Sequence, residues 1–172
     1  PATRMVDLLG ATMLPGFIDP HSHVMMCATQ LDWANLYAPP MGTVTRLQDI
    51  VDALRARQRQ ASSADGWLFG VGYDPDLLDV KRHPTAADLD AAFPDTPVIV
   101  MHVSGHMAVA NSAAMRAKGI TDATPDPAGG MIVRVPGTRQ PQGLFQENAM
   151  GIFLKELQPA LPRHLDLLHQ VA

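Results

Sequence analysis

Two histidines one residue apart, His21 and His23, follow an extended apolar stretch over residues 13–19. Side chains two apart on a strand project to the same side, so the two imidazoles can converge at the separation that two ligands of a Zn²⁺ ion require. Asp19 has the same parity and can orient one imidazole by accepting its second N–H. A bare His-x-His pair equally suits two solvated loop histidines, so its surroundings must decide how it reads.

The elements that would position these residues alternate between strand and helix patterns. Residues 13–19 form the expected first strand, with a turn at Pro15-Gly16 and with Pro20 holding Asp19 extended. A helix over 45–62 has Thr45 as its cap and Leu47, Ile50, Val51 and Leu54 at helical spacing. Residues 67–73, apolar with interspersed glycines, form the second strand, ending at Asp74-Pro75. A short helix over 85–93 is capped by Thr85, with Asp88 favourably placed in its first turn. Residues 98–103 are the clearest buried strand and close at Ser104-Gly105-His106. Asn111 caps a helix over 112–118, which Gly119 terminates. This order predicts an α/β fold with parallel strands. Beyond it, residues 121–143 turn rich in Pro, Gly, Asp and Thr, and 131–135 is expected to pair in a hairpin across Pro136-Gly137. Residues 146–157 and 163–171 return to helical periodicity.

Bulk composition narrows the function classes. The chain has 172 residues, 47% hydrophobic and 17% charged, an ordinary globular mixture able to bury a core. Its formal charge is −4 with scattered Lys and Arg, so no basic stripe argues for nucleic acid. The apolar runs are far shorter than the roughly 20 residues needed to cross a bilayer. The single cysteine, Cys27, rules out an internal disulfide and reads as a small buried side chain; a cytoplasmic setting is expected. The chain opens at Pro1 and stops within an apparent helix, so it reads as a piece of a longer protein.

The phrase Leu14-Pro15-Gly16-Phe17-Ile18-Asp19-Pro20-His21-Ser22-His23 resembles the first barrel strand of the amidohydrolase superfamily, where Pro-Gly-Phe-Ile-Asp-x-His-x-His holds the metal. Downstream, Gly70-Val71-Gly72-Tyr73-Asp74, Arg82-His83-Pro84-Thr85, Gly105-His106, Asn111-Ser112-Ala113-Ala114 and Gly143-Leu144-Phe145-Gln146-Glu147 are similar to the amidohydrolase-3 branch, which includes N-substituted formamide deformylase-like proteins. The resemblance implies a partial TIM-like (β/α) barrel, its first three or so β/α units spanning 13–172, with a remnant of a small β-sandwich at 1–12. The hairpin at about 121–143 would then be a loop inserted over the barrel mouth.

The same resemblance implies one or two divalent metal ions, Zn foremost with Fe or Mn as alternatives, and hydrolysis of a non-peptide C–N bond in a small-molecule linear amide, N-acyl or N-formyl compound. His21 and His23 would be ligands. Glu147 matches the branch's glutamate after Gly-x-Leu: either it ligates metal and serves catalysis, or it is a carboxylate placed for a helix dipole. His106, at the end of the third strand, either hydrogen-bonds substrate or a developing oxyanion, or is a satisfied loop histidine. His102 lies deeper and reads as a hydrogen-bonded core histidine supporting the site. Asp74 and Asp76 suit turn formation more than the mouth, and Met25, Met26 and Met107 suit core filling more than a substrate wall. His164 and His169, five apart on a helix, face different ways and are set aside as ligands. Two later histidines and a general-base aspartate have no counterpart here, so the chain alone is expected to be inactive. A truncated or degenerate, non-catalytic module is the alternative, and an unrelated small binding domain would make the ten-residue phrase a coincidence.

Overall fold

The computed structural model describes residues 3–60 and 66–157. Residues 61–62 of the expected second-element helix, and the segment 163–171 with His164 and His169, lie outside the described residues. The elements in chain order are α1 (Val24–Gln30), β1 (Ala34–Asn35), α2 (Leu47–Gln60), β2 (Leu68–Tyr73), α3 (Ala86–Asp90), β3 (Val98–His102), β4 (Met107–Ala110), α4 (Ser112–Ala117), β5 (Gly130–Arg134), β6 (Pro141–Glu147), a 3₁₀ turn (Asn148–Phe153) and α5 (Leu154–Leu157).

The strands form a single mixed sheet in the order β1-β2-β3-β4-β6-β5. β1, β2 and β3 run parallel, as the alternating pattern predicts, but β3–β4, β4–β6 and β6–β5 are antiparallel. Only residues 103–106 separate β3 from β4, too few for a parallel crossover, so the chain must double back. The 131–135 hairpin forms as expected, yet its strands join the main sheet, and β6 runs on to Glu147 where helical periodicity had been read. Phe145 and Leu144 explain the difference: both are buried, on opposite faces, as strand neighbours must be.

Residues 13–19 are not a strand. Met13, Leu14, Phe17 and Ile18 are exposed, Phe17 wholly so, and the first ladder begins instead at Ala34. A strand exists through its ladder partners, Pro15 and Pro20 lack donors, and no described strand offers this stretch a partner. Cys27 is also exposed rather than buried, because the seven-residue α1 turns Ala28 inward in its place.

Side-chain parity divides the core between the two sheet faces. Val98, Val100, Val109 and Leu144 pack with Leu36, Ile50 and Leu54 on one side, while Ile99, Ala108, Ala110 and Phe145 pack with Ile132 and Phe153 on the other. The caps were legible: Thr85 and Asp88 form a reciprocal capping box on α3. At α2, Asp49 reaches back to accept the N–H groups of Thr45 and Arg46, so the carboxylate caps where a Thr45 hydroxyl had been expected. Asn111 does more than cap α4. Fully buried, it accepts from the N–H groups of Ala114 and Val98 and donates to the carbonyls of Phe93 and Thr96, tying the end of α3 and the start of β3 to α4.

Candidate active site

Because β3 reverses into β4, and β4 lies against β6, the ends of β2, β3 and β6 and the start of β4 share one rim of the sheet. Gly72, with φ 102°, interrupts the β2–β3 register just before Tyr73, and a Cβ there would sit 2.5 Å from the Tyr37 ring. Only glycine fits, and the resulting bulge sets the fully buried Tyr73 opposite His102, the residue next to the Met101 that pairs with Val71.

Polar side chains run along this rim in a continuous row. The Tyr73 hydroxyl lies 3.0 Å from His83 Nδ1, and the Tyr73 ring stands nearly perpendicular to the His102 ring at 5.4 Å. The Ser104 main-chain N–H donates to His102 Nδ1 at 3.0 Å, with the Ser104 hydroxyl 2.8 Å from the same nitrogen. That hydroxyl accepts from the main-chain N–H of His106. His106 Nδ1 then stands 3.0 Å from Glu147 Oε2, while the Glu147 N–H donates to the His106 carbonyl at 2.9 Å. His106 and Glu147, singled out separately in the sequence, are therefore brought together.

Electrostatics along the row follow burial. Burial pushes the Tyr73 hydroxyl well above its usual pKa. Burial also lowers both His83 and His102; His102 depresses His83 further, while Asp74 and Asp76 act in the opposite direction on both. Asp74 meanwhile accepts the N–H of Asp76, as a turn-forming aspartate does.

Glu147 holds a backbone conformation that few side chains adopt, with φ 51°. For a non-glycine residue this costs roughly 1–2 kcal/mol. The His106–Glu147 contact is exposed on both sides, 67% and 60%, so an ion pair there contributes at most about 1 kcal/mol even with His106 protonated. Stability does not account for the strained residue; its effect is to direct a carboxylate at an imidazole.

His21 and His23 sit on the exposed segment leading into α1. Their Nε2 atoms approach to 2.8 Å, the rings 4.6 Å apart and steeply inclined. Two tetrahedral ligands with Zn–N bonds of about 2.0–2.1 Å stand about 3.3 Å apart, so the pair fits a shared ion after opening by about half an ångström. Asp19 does not reach either ring: its carboxylate accepts the main-chain N–H of His21 at 3.1 Å. Among the described residues, no group of three or more His, Cys, Asp and Glu side chains is placed to hold a metal ion. The expected set of His21, His23 and Glu147 is thus unassembled, since Glu147 is fixed by the sheet while the segment carrying the histidines has no ladder to it. Met26 is exposed, Met107 is half-buried against Gln146, and the Met25 side chain lies outside the described residues.

The amidohydrolase family model, of the amidohydrolase-3 type, matches residues 4–171. The chain belongs to that family. It is 35% identical to the putative amidohydrolase YtcJ of Bacillus subtilis over 169 residues, 96% of this chain and 30% of that protein. It is 31% identical to the N-substituted formamide deformylase of Arthrobacter pascens over 152 residues, 88% of this chain and 27% of that enzyme. The chain therefore spans about 30% of the length of these relatives. An uncharacterized metal-dependent hydrolase of Pyrococcus horikoshii shares its fold, with a TM-score of 0.59 and 19% identity over 91% of this chain and 28% of that structure. Among the described residues, no helix is long and apolar enough to cross a membrane.

Sequence reasoning missed Tyr73, His83 and Ser104 as parts of the rim. One signal was available. A glycine inside a strand, as at Gly72, marks a bulge or close backbone approach, and the residue after it is re-aimed.

Proposed function

We propose that the intact protein is a metal-dependent hydrolase of non-peptide C–N bonds in linear amides, N-acyl or N-formyl compounds. The convergence of the His21 and His23 Nε2 atoms carries this reading, set within a phrase characteristic of the family. In this proposal His21 and His23 hold a divalent ion, zinc first and iron or manganese as alternatives, and Glu147 joins as a third ligand once the N-terminal segment docks beside the rim. A divalent ion bound there supplies an acidified water and polarises the carbonyl under attack. Asp19, bonded to the His21 main chain, fixes the spacing of the histidine turn. Glu147 orients His106 through Nδ1, leaving Nε2 free to hydrogen-bond the substrate's oxygen or leaving nitrogen. His102, through Ser104, holds the His106 main chain in place.

The arrangement proposed for the intact protein is a TIM-like barrel, with 13–172 supplying its first units, 121–143 inserted and 1–12 the edge of a small β-sandwich. The parallel β1-β2-β3 ladder supports it, and a cytoplasmic setting is part of the same proposal. Elemental analysis of the purified intact protein beside its His21→Ala/His23→Ala variant tests the function. Near-stoichiometric metal lost on mutation, together with turnover of a simple formamide, supports the hydrolase. Metal in neither protein would overturn it in favour of a non-catalytic module.

A further inference from the structure

Among the described residues, the rim holds two imidazoles whose second nitrogens have no partner. Tyr73 is fully buried and its hydroxyl has one neighbour among the described residues, His83 Nδ1, so the phenol must donate there or leave its proton buried without an acceptor. His83 is then neutral with its proton on Nε2. His102 Nδ1 receives a main-chain N–H from Ser104, which places the His102 proton on Nε2 as well. Neither nitrogen is bonded within the described residues, and neither is among the side-chain atoms sealed from solvent without a partner, since Arg57 Nε alone is so placed there. A protonated Nε2 offers no lone pair to a metal ion, so this pair acts by donating hydrogen bonds. The rings lie 5.7 Å apart, close enough for one small molecule to meet both. Asp74 directly follows Tyr73, whose ring lies 5.9 Å from His83 and 5.4 Å from His102, and the negative charges of Asp74 and Asp76 act on both imidazoles.

We propose that His83 and His102 form a substrate subsite that donates Nε2–H hydrogen bonds to neutral oxygen acceptors, an amide carbonyl or a hydroxyl, and that Asp74 and Asp76 bar carboxylates from it. The ligand's being substrate rests on the hydrolase reading; its chemistry rests on the rim alone. Substrates are accordingly N-acyl or N-formyl derivatives of neutral or cationic amines, and N-acyl amino acids are rejected.

Imidazole ¹⁵N–¹H spectra of the intact protein, labelled at histidine, test the site without turnover. His83 and His102 are expected as Nε2–H tautomers whose signals shift saturably with N-ethylacetamide and remain in place with acetate. A proton on Nδ1 of either residue, or an equal response to acetate, would overturn the proposal. Kinetics supply the second arm. His83→Gln keeps a donor near the Nε2 position and should hold KM for a neutral N-formyl amine, whereas His83→Phe raises it about tenfold, the loss of one hydrogen bond. Equal KM in both variants, or a preference for N-formyl amino acids, sinks the subsite even if the hydrolase stands. Absence of metal and turnover sinks the hydrolase, while the spectra still decide the subsite.

Discussion

His106 and Glu147 are 41 residues apart in sequence, yet His106 Nδ1 lies 3.0 Å from Glu147 Oε2, and the Glu147 N–H returns a bond to the His106 carbonyl. The pairing is a product of the antiparallel β4–β6 ladder, which sets Met107 opposite Gln146 and so brings the next residues outward into contact. Glu147→Gln keeps the shape and one acceptor but removes the charge. In the intact protein it should reduce kcat/KM by about 100-fold or more if the carboxylate serves the reaction, with the melting temperature essentially unchanged. Unaltered kinetics would leave Glu147 a structural residue.

Asn111 makes four hydrogen bonds from a fully buried position. Asn111→Ala strands two main-chain N–H groups and two carbonyls, and should destabilise the fold by about 3 kcal/mol. Urea unfolding measures this; a loss below about 1 kcal/mol would mean that water replaces the amide.

These two residues show what the sequence made legible. Asn111 was readable as a cap because capping depends on a neighbouring turn, and Thr85 with Asp88 was readable for the same reason. Its three other bonds reach residues 13 to 18 positions away, and nothing local announces them. The parallel β2–β3 pair followed from apolar runs and intervening helix, but the antiparallel half depended on how few residues separate β3 from β4. His106 and Glu147 were singled out for residue type and resemblance. Their contact was not foreseeable, and neither were Tyr73 and His83, which the Gly72 bulge brings into line.

His83 and His102 are both lowered from the ordinary histidine value, chiefly by burial. Between that lowered value and the unfolded value of about 6.5 the unfolded chain binds more protons, so stability rises with pH through this window. The stability is fully present above pH of about 6.5 and declines as pH falls below it. Denaturant midpoints measured from pH 5 to 8 should show this rise, and replacing both histidines by phenylalanine should flatten it. An unchanged slope in that variant would assign the effect to other groups.

Asp49 is held at about 2, first by its hydrogen bond from Arg46 and then by the main-chain N–H groups of Thr45 and Arg46. A carboxylate lowered on folding contributes stability that is complete above its unfolded value of about 3.9 and is lost as pH falls toward the folded value. The helix α2 should therefore loosen between about pH 4 and 2, and Asp49→Asn should remove that part of the acid transition. Hydrogen exchange at the amides of Ile50 and Val51 reads the loosening directly; identical acid profiles in both proteins would refute the cap's role.

Glu147 sets stability against activity at a single position. Its φ of 51° costs roughly 1–2 kcal/mol for a side-chain-bearing residue. Glycine removes that strain but adds about 0.4–1 kcal/mol of unfolded-chain entropy. Glu147→Gly should thus leave the protein equally stable or stabilise it by up to about 1 kcal/mol, the His106 contact being too exposed to offset the difference. The same variant frees the His106 ring and should lose activity at least as severely as Glu147→Gln. A variant that gains stability while losing turnover identifies the strain as serving function. One that loses both places Glu147 in the scaffold, and one that keeps its turnover removes the His106–Glu147 contact from the mechanism.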